Sequence, residues 1–163
     1  MVSRRRCSAG SLREVGYHIL HAEAAFWRPS RLMGVDNCDL AAQLAAPGLG
    51  ARLWRLRPGQ ANTRHRHRTQ TEVYVLLEGR GRLRVDGELL TLTPMSAVAV
   101  DPESVRQVFN DTAADQLWLI IGAPAEPAPT EDDIPYMYPD GAKALPPELA
   151  GEPPAAASGG EPG

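Results

Sequence analysis

The chain predicts an all-β fold, a small jelly-roll barrel, on three observations. Short β-rich runs recur from Ala51 to Gly122. Most of them stop at a turn signal such as Pro58-Gly59, Glu78-Gly79 or Asp86-Gly87. Between Gly59 and Gly79, two histidines at i and i+2 sit where extended backbone turns them to a common face, and a glutamate follows five residues after the second.

Residues 1–47 read as an N-terminal arm. Residues 1–14 are expected to be flexible. From Tyr17 to Leu32 an apolar segment holding Ile19, Phe26 and Trp27 is broken by Pro29, which suits either a short helix or an extended arm on the barrel. Asp36 to Leu44 reads as a short helical turn capped by Asp36 or Asn37. Pro47-Gly48 and Gly50 then mark a break.

The barrel is expected over 48–123. Its runs are Arg52–Leu56, Glu72–Leu77, Arg82–Val85, Glu88–Leu92, Ala97–Val100, Val105–Phe109 and Gln116–Ile121. Asp86-Gly87 is a hairpin signal. Short strands at such spacing favour a barrel or jelly roll over alternating strands and helices. Beyond Gly122 lie ten of the fifteen prolines. Residues 124–147, with the apolar stretch Ile134 to Pro139, are expected to lie extended on the barrel or on a partner. Residues 148–163 offer almost nothing to bury and read as a disordered tail.

A length of 163 residues, 43% of them hydrophobic, suits one domain with extensions. The formal charge of −3, with no interleaving of basic and aromatic residues, argues against nucleic acid as a partner. Arg4, Arg5 and Arg6 have no apolar run behind them, and no stretch has the ~20 apolar residues of a membrane span. Cys7 and Cys38 make no disulfide framework and read as free thiols in a reducing compartment. The expected location is the cytoplasm. No Gly-x-Ser-x-Gly, phosphate-binding glycine loop or Cys-x-x-Cys is present.

His65, His67 and Glu72 carry the chemistry. Two imidazoles and a carboxylate suit a mid-series divalent metal. Arg64, Arg66 and Arg68 alternate with the histidines, so they face the other way, as a solvated edge or to steer an anion. Tyr74 shares the face of Glu72 and is expected to line a pocket. Trp54 and Trp118 read as packing residues.

The run Gly59-x5-His65-x-His67-x4-Glu72-x6-Gly79 resembles the first signature motif of the cupin superfamily, with every fixed position present. The resemblance spans Gly48 to Gly122 and implies a double-stranded β-helix barrel, a metal inside it and, usually, a homodimer. The second motif, Gly-x5-Pro-x-Gly-x2-His-x3-Asn, falls on Met95, Asp101, Glu103, Arg106 and Asn110, so only the asparagine matches. Arg106 stands where the family places its fourth metal ligand, a histidine. A guanidinium cannot ligate a metal and stays charged.

Three outcomes follow. The ion stays on three protein ligands and water; it stays while Arg106 binds a carboxylate or phosphate of the ligand beside it; or it is lost and Arg106 pairs with Glu72. Gln107, Glu103, His18 and His21 are weaker candidates for a fourth ligand. The expected function is therefore a divalent-metal (Fe, Mn, Zn or Ni) and small-molecule site, acting on an anionic molecule. Iron would suit a dioxygenase, and the others an isomerase or lyase. The alternatives are a non-catalytic ligand-binding or sensor cupin, or an oligomer with a vestigial pocket. Exposed strand edges and the segment 15–32 are expected to form a subunit contact.

Overall fold

The computed structural model describes residues 16–151. The expectations for residues 1–14, for Cys7 and for the tail beyond Gly151 lie outside the described residues.

Seven strands occupy the stretch where seven were expected: β3 (Gly50–Leu56), β4 (Thr71–Glu78), β5 (Gly81–Val85), β6 (Glu88–Leu92), β7 (Ala97–Val100), β8 (Arg106–Phe109) and β9 (Gln116–Ala123). Two more precede them, β1 (Arg28–Pro29) and β2 (Asp36–Asp39). The larger sheet runs β1-β2-β3-β9-β4-β7 and the smaller β6-β5-β8. Every strand pairing is antiparallel. Isolated bridges Ala61↔Phe109 and His65↔Arg106 add the 61–65 segment to the free edge of β8. The result is the expected jelly roll.

Alternation explains the core. Along β4 the even positions Glu72, Tyr74 and Leu76 are buried, and their neighbours are only half-buried. Leu56, Leu76, Leu83, Val108 and Trp118 are sealed between the sheets with Tyr74. Gly81 is required here, because a Cβ on it would lie 2.7 Å from the Trp118 ring. Cys38 is buried as a free thiol.

The arm differs from expectation at one point. Asp36–Asp39 is a strand, not a helical turn, and pairs with Arg55, Trp54, Leu53 and Arg52 of β3. The sheet edge overrides the local capping tendency of Asp36 and Asn37. The helical turn α1 (Leu40–Gln43) follows, capped by Asp39, whose side chain accepts from the Ala42 N–H at 3.0 Å. Upstream, among the described residues, the arm makes a 3₁₀ turn at Ala22–Ala24 with extended backbone at His21 and Ala25 on either side.

The C-terminal segment packs on the barrel. It contains a 3₁₀ turn (Glu131–Asp133), α2 (Ile134–Met137) and α3 (Pro147–Ala150). At α3, Glu148 pairs with Arg84 of β5 at 2.6 Å. Among the described residues no helix is long and apolar enough to cross a membrane.

Candidate metal centre

His65 reaches the barrel interior because its backbone is bonded into β8. Its N–H donates to the Arg106 carbonyl at 3.0 Å, and the Arg106 N–H donates back at 2.8 Å. Directly opposed residues of an antiparallel pair share a face, so Arg106 points inward with His65. His67, two residues on, follows the same parity, and its N–H is held by the Pro102 carbonyl at 2.8 Å. Glu72 and Tyr74 arrive on the buried face of β4.

The three expected ligands converge. His65 Nε2 lies 3.4 Å from Glu72 Oε2, and His67 Nε2 lies 3.5 Å from Glu72 Oε1. One ligand atom from each falls within 4.8 Å of the others, a spacing that admits one ion. The imidazoles stand perpendicular, with centroids 5.1 Å apart.

Each imidazole is fixed in one tautomer. His65 Nδ1 is 2.8 Å from the Thr63 carbonyl, which can only accept. His67 Nδ1 is 2.9 Å from Glu126 Oε2. Both Nδ1 atoms are therefore donors, so Nε2 is the ring nitrogen that faces the centre. His67 Nε2 is buried without a hydrogen-bond partner. That orphaned atom, beside a carboxylate oxygen, fits a metal ligand.

Arg106 is fully buried and donates from Nε to Glu72 Oε2 at 3.1 Å. Its Nη1 donates to the Pro102 and Ser104 carbonyls, both at 2.8 Å. It lies behind Glu72 and not on the cavity wall. The Tyr74 hydroxyl donates to the same Oε2. Glu72 thus has one oxygen engaged by protein donors, while Oε1 faces His67.

The electrostatics follow. Burial works to raise the Glu72 pKa, but the two imidazoles and Arg106 outweigh it and hold the carboxyl well below its ordinary range. Burial and then the Glu72 charge push the Tyr74 phenol well above its usual value, so it stays protonated. Burial works to lower His67, yet Glu72 and Glu126 reverse the sign and raise it.

Glu126 is the residue that sequence reasoning missed. Besides His67 it accepts from the N–H groups of Arg68, Thr69 and Gln70 at 2.9, 2.6 and 3.1 Å. These donors overcome the opposing effect of burial and hold its pKa at about 2. A lone acid in a proline-rich stretch carries no spacing signal; the loop after β9 has to fold back before it meets His67.

Arg64, Arg66 and Arg68 do face away from the centre, Arg68 with its side chain 55% exposed, and all three meet the C-terminal segment. Arg66 and Arg68 lie 4.0 and 4.3 Å from the centroid of the Tyr136 ring. Arg64 pairs with Asp140 and Arg68 with Asp133. The Tyr136 hydroxyl donates to the His67 carbonyl at 3.1 Å. The alternate arginines thus clamp the segment 133–140 to the back of the histidine strand. Gln107 points to the opposite side, donating to the Asn62 and Ala144 carbonyls. Asn110, the surviving residue of the second motif, is buried and ties Leu56 and Ala114 through its Nδ2.

An open cavity of about 940 Å³ rises from the centre. His65, His67, Glu72 and Tyr74 line it, as does Trp54, whereas Trp118 is sealed in the core.

The cupin domain family matches residues 52–122. No curated protein matches the chain. Among solved structures, a sugar phosphate isomerase of the cupin superfamily from Silicibacter pomeroyi is 26% identical. It has a TM-score of 0.59, over 66% of this chain and 76% of that one. A predicted oxalate decarboxylase from Thermotoga maritima is 16% identical with a TM-score of 0.59, over 66% of this chain and 100% of that one. KdgF from a Halomonas species is 17% identical with a TM-score of 0.58, over 67% and 96%. The last two speak for the fold alone. With the complete first motif, the jelly roll and this family match, residues 52–122 form a cupin domain.

Proposed function

We propose that His65, His67 and Glu72 hold a divalent metal ion (Fe, Mn, Zn or Ni) and that the cavity above them admits a small anionic molecule for an isomerase- or lyase-type rearrangement. The observation that carries this reading is His67 Nε2, buried without a partner and aimed at Glu72 while Glu126 holds the far side of its ring. A bound ion would act as a Lewis acid on a carbonyl or hydroxyl oxygen of the substrate. The chain's own residues do the positioning. Thr63 and Glu126 hold the two imidazoles in the ligating tautomer. Tyr74 and Arg106 pin Glu72 Oε2, so that the carboxylate offers Oε1 alone. The Silicibacter pomeroyi likeness, named as a sugar phosphate isomerase, supports the reaction class. A cytoplasmic homodimer is part of the same proposal.

The Arg106–Glu72 pair favours a second reading, a non-catalytic cupin that binds a small ligand. A buried cation already neutralises the carboxylate and weakens its attraction for an ion. Elemental analysis of untagged protein, purified without chelator beside a His65→Ala variant, separates the two. Stoichiometric metal that is lost in the variant supports the enzyme reading. Metal-free protein that stays so after incubation with iron, manganese, zinc and nickel sinks it and leaves the binding module.

A further inference from the structure

The cavity is chemically two-faced. Its floor is the polar centre of His65, His67 and Glu72. Much of the wall above is apolar: Trp54, Ile120, Leu49, Met137, Ala46 and Pro127. Ile120 pairs across the sheet with Tyr74, so this apolar surface begins beside the floor. A volume of about 940 Å³ is far more than a metal-bound head group fills, and lies at the upper end for small-molecule sites.

Charge narrows the occupant further. Among the described residues lining the cavity, the one Lys or Arg is Arg52. Its Nε and Nη2 are both spent on Asp39 Oδ2, at 3.1 and 2.8 Å. Arg106 is sealed below the floor. Carboxylates are the wall's other charges, Asp39 and Glu126. A phosphate group needs charge-assisted donors, usually arginine forks or a row of free backbone N–H groups. At the upper walls it would meet the Asp39 and Glu126 carboxylates, hydrocarbon and neutral polar groups such as Gln70 and Tyr138. At the floor the balance differs: a divalent ion and Arg106 together exceed the charge of Glu72, so a singly charged chelating head is attracted there.

From this juxtaposition we infer the ligand class: a 2-oxo or 2-hydroxy carboxylate with an aryl or branched alkyl body. The oxygens of its head meet the floor, and its body lies against Ile120 and Trp54. A phosphorylated sugar whose carbonyl end met the floor would leave its phosphate at the upper walls without a charged partner, and fits less well. The inference rests on the metal-site reading of the preceding section and deepens it.

Calorimetric titration of the metal-loaded full chain tests it with three probes. Pyruvate has the head alone, phenylpyruvate adds the body, and ribose 5-phosphate has the less fitting chemistry. Phenylpyruvate is expected to bind at least about tenfold tighter than pyruvate, the scale at which apolar pockets discriminate added hydrocarbon. It is also expected to bind more tightly than ribose 5-phosphate. Trp54→Ala should close most of the gap between phenylpyruvate and pyruvate. Leu49→Glu, at a rim position that is 39% exposed and tolerant of charge, should narrow it without threatening the fold. Equal binding of phenylpyruvate and pyruvate, tightest binding of ribose 5-phosphate, or no binding of any probe would overturn the ligand class. The metal reading fails separately. If His65→Ala, shown by elemental analysis to lack metal, still prefers phenylpyruvate to ribose 5-phosphate through Trp54, the ligand class stands and the metal falls.

Discussion

Arg106 is the residue on which this site turns. A buried carboxylate that loses its cation is left with an uncompensated charge, and such losses cost about 3–5 kcal/mol. Arg106→Gln is therefore expected to lower stability by about 3 kcal/mol in urea unfolding, and a shift below 1 kcal/mol would show that Glu72 does not depend on it. Glu126→Gln tests the opposite flank. An amide there can offer its N–H to His67 Nδ1 and favour the tautomer that blocks Nε2. Metal affinity should fall by about 10- to 100-fold with the fold intact, as for other partners of a ligating histidine. Unchanged affinity would reduce Glu126 to a loop tie. The two residues also mark what was legible. The two-residue alternation of extended backbone put His65 and His67 on one face, and the resemblance to the first motif added Glu72, five residues on. The second motif marked Arg106 as the residue in the fourth ligand's place but left its facing open, and the bridge to His65 turns it inward. Glu126 stands 54 positions after Glu72, and its contact depends on the path of a loop that no periodicity encodes.

At the scale of elements, the strands were legible because turn residues punctuate them, whereas the segments outside the barrel were not. Asp36 and Asn37 serve equally well at a helix start or a sheet edge, and only the presence of β3 decides. The same ambiguity hid α3, which has little to bury and is held to β5 through Glu148. Arg84 first of all, against a smaller opposing effect of burial, holds the Glu148 carboxyl below its ordinary value. The sign is that of a depressed acid: the contribution is complete above the unfolded value near 4.5 and disappears as pH falls through the folded one. Acidification should thus release α3 before the barrel opens. Hydrogen exchange at α3 amides should accelerate at acid pH while β4 and β9 remain protected, and Glu148→Gln should reproduce that pattern at neutral pH. Equal protection of α3 in the variant would assign its anchoring to other contacts.

For the whole molecule, the arm that precedes β3 covers one edge of the large sheet while exposing Tyr17, Ile19 and Phe26. Three large apolar side chains displayed on one extended segment are a natural seat for a second copy. The full chain is expected to sediment as a dimer and a chain beginning at Asp36 as a monomer. A truncated dimer of equal stability would move the contact elsewhere. The histidine strand carries a different kind of demand. Its inward face presents imidazoles to a carboxylate, and its outward face presents guanidiniums to Tyr136 and to Asp133 and Asp140. A slip of one residue would exchange the two faces, sending arginines into the centre and stranding the histidines against the tyrosine. The threading of this strand is thus proofread twice, from inside the barrel and from the C-terminal segment behind it. A misthreaded chain fails both inspections at once.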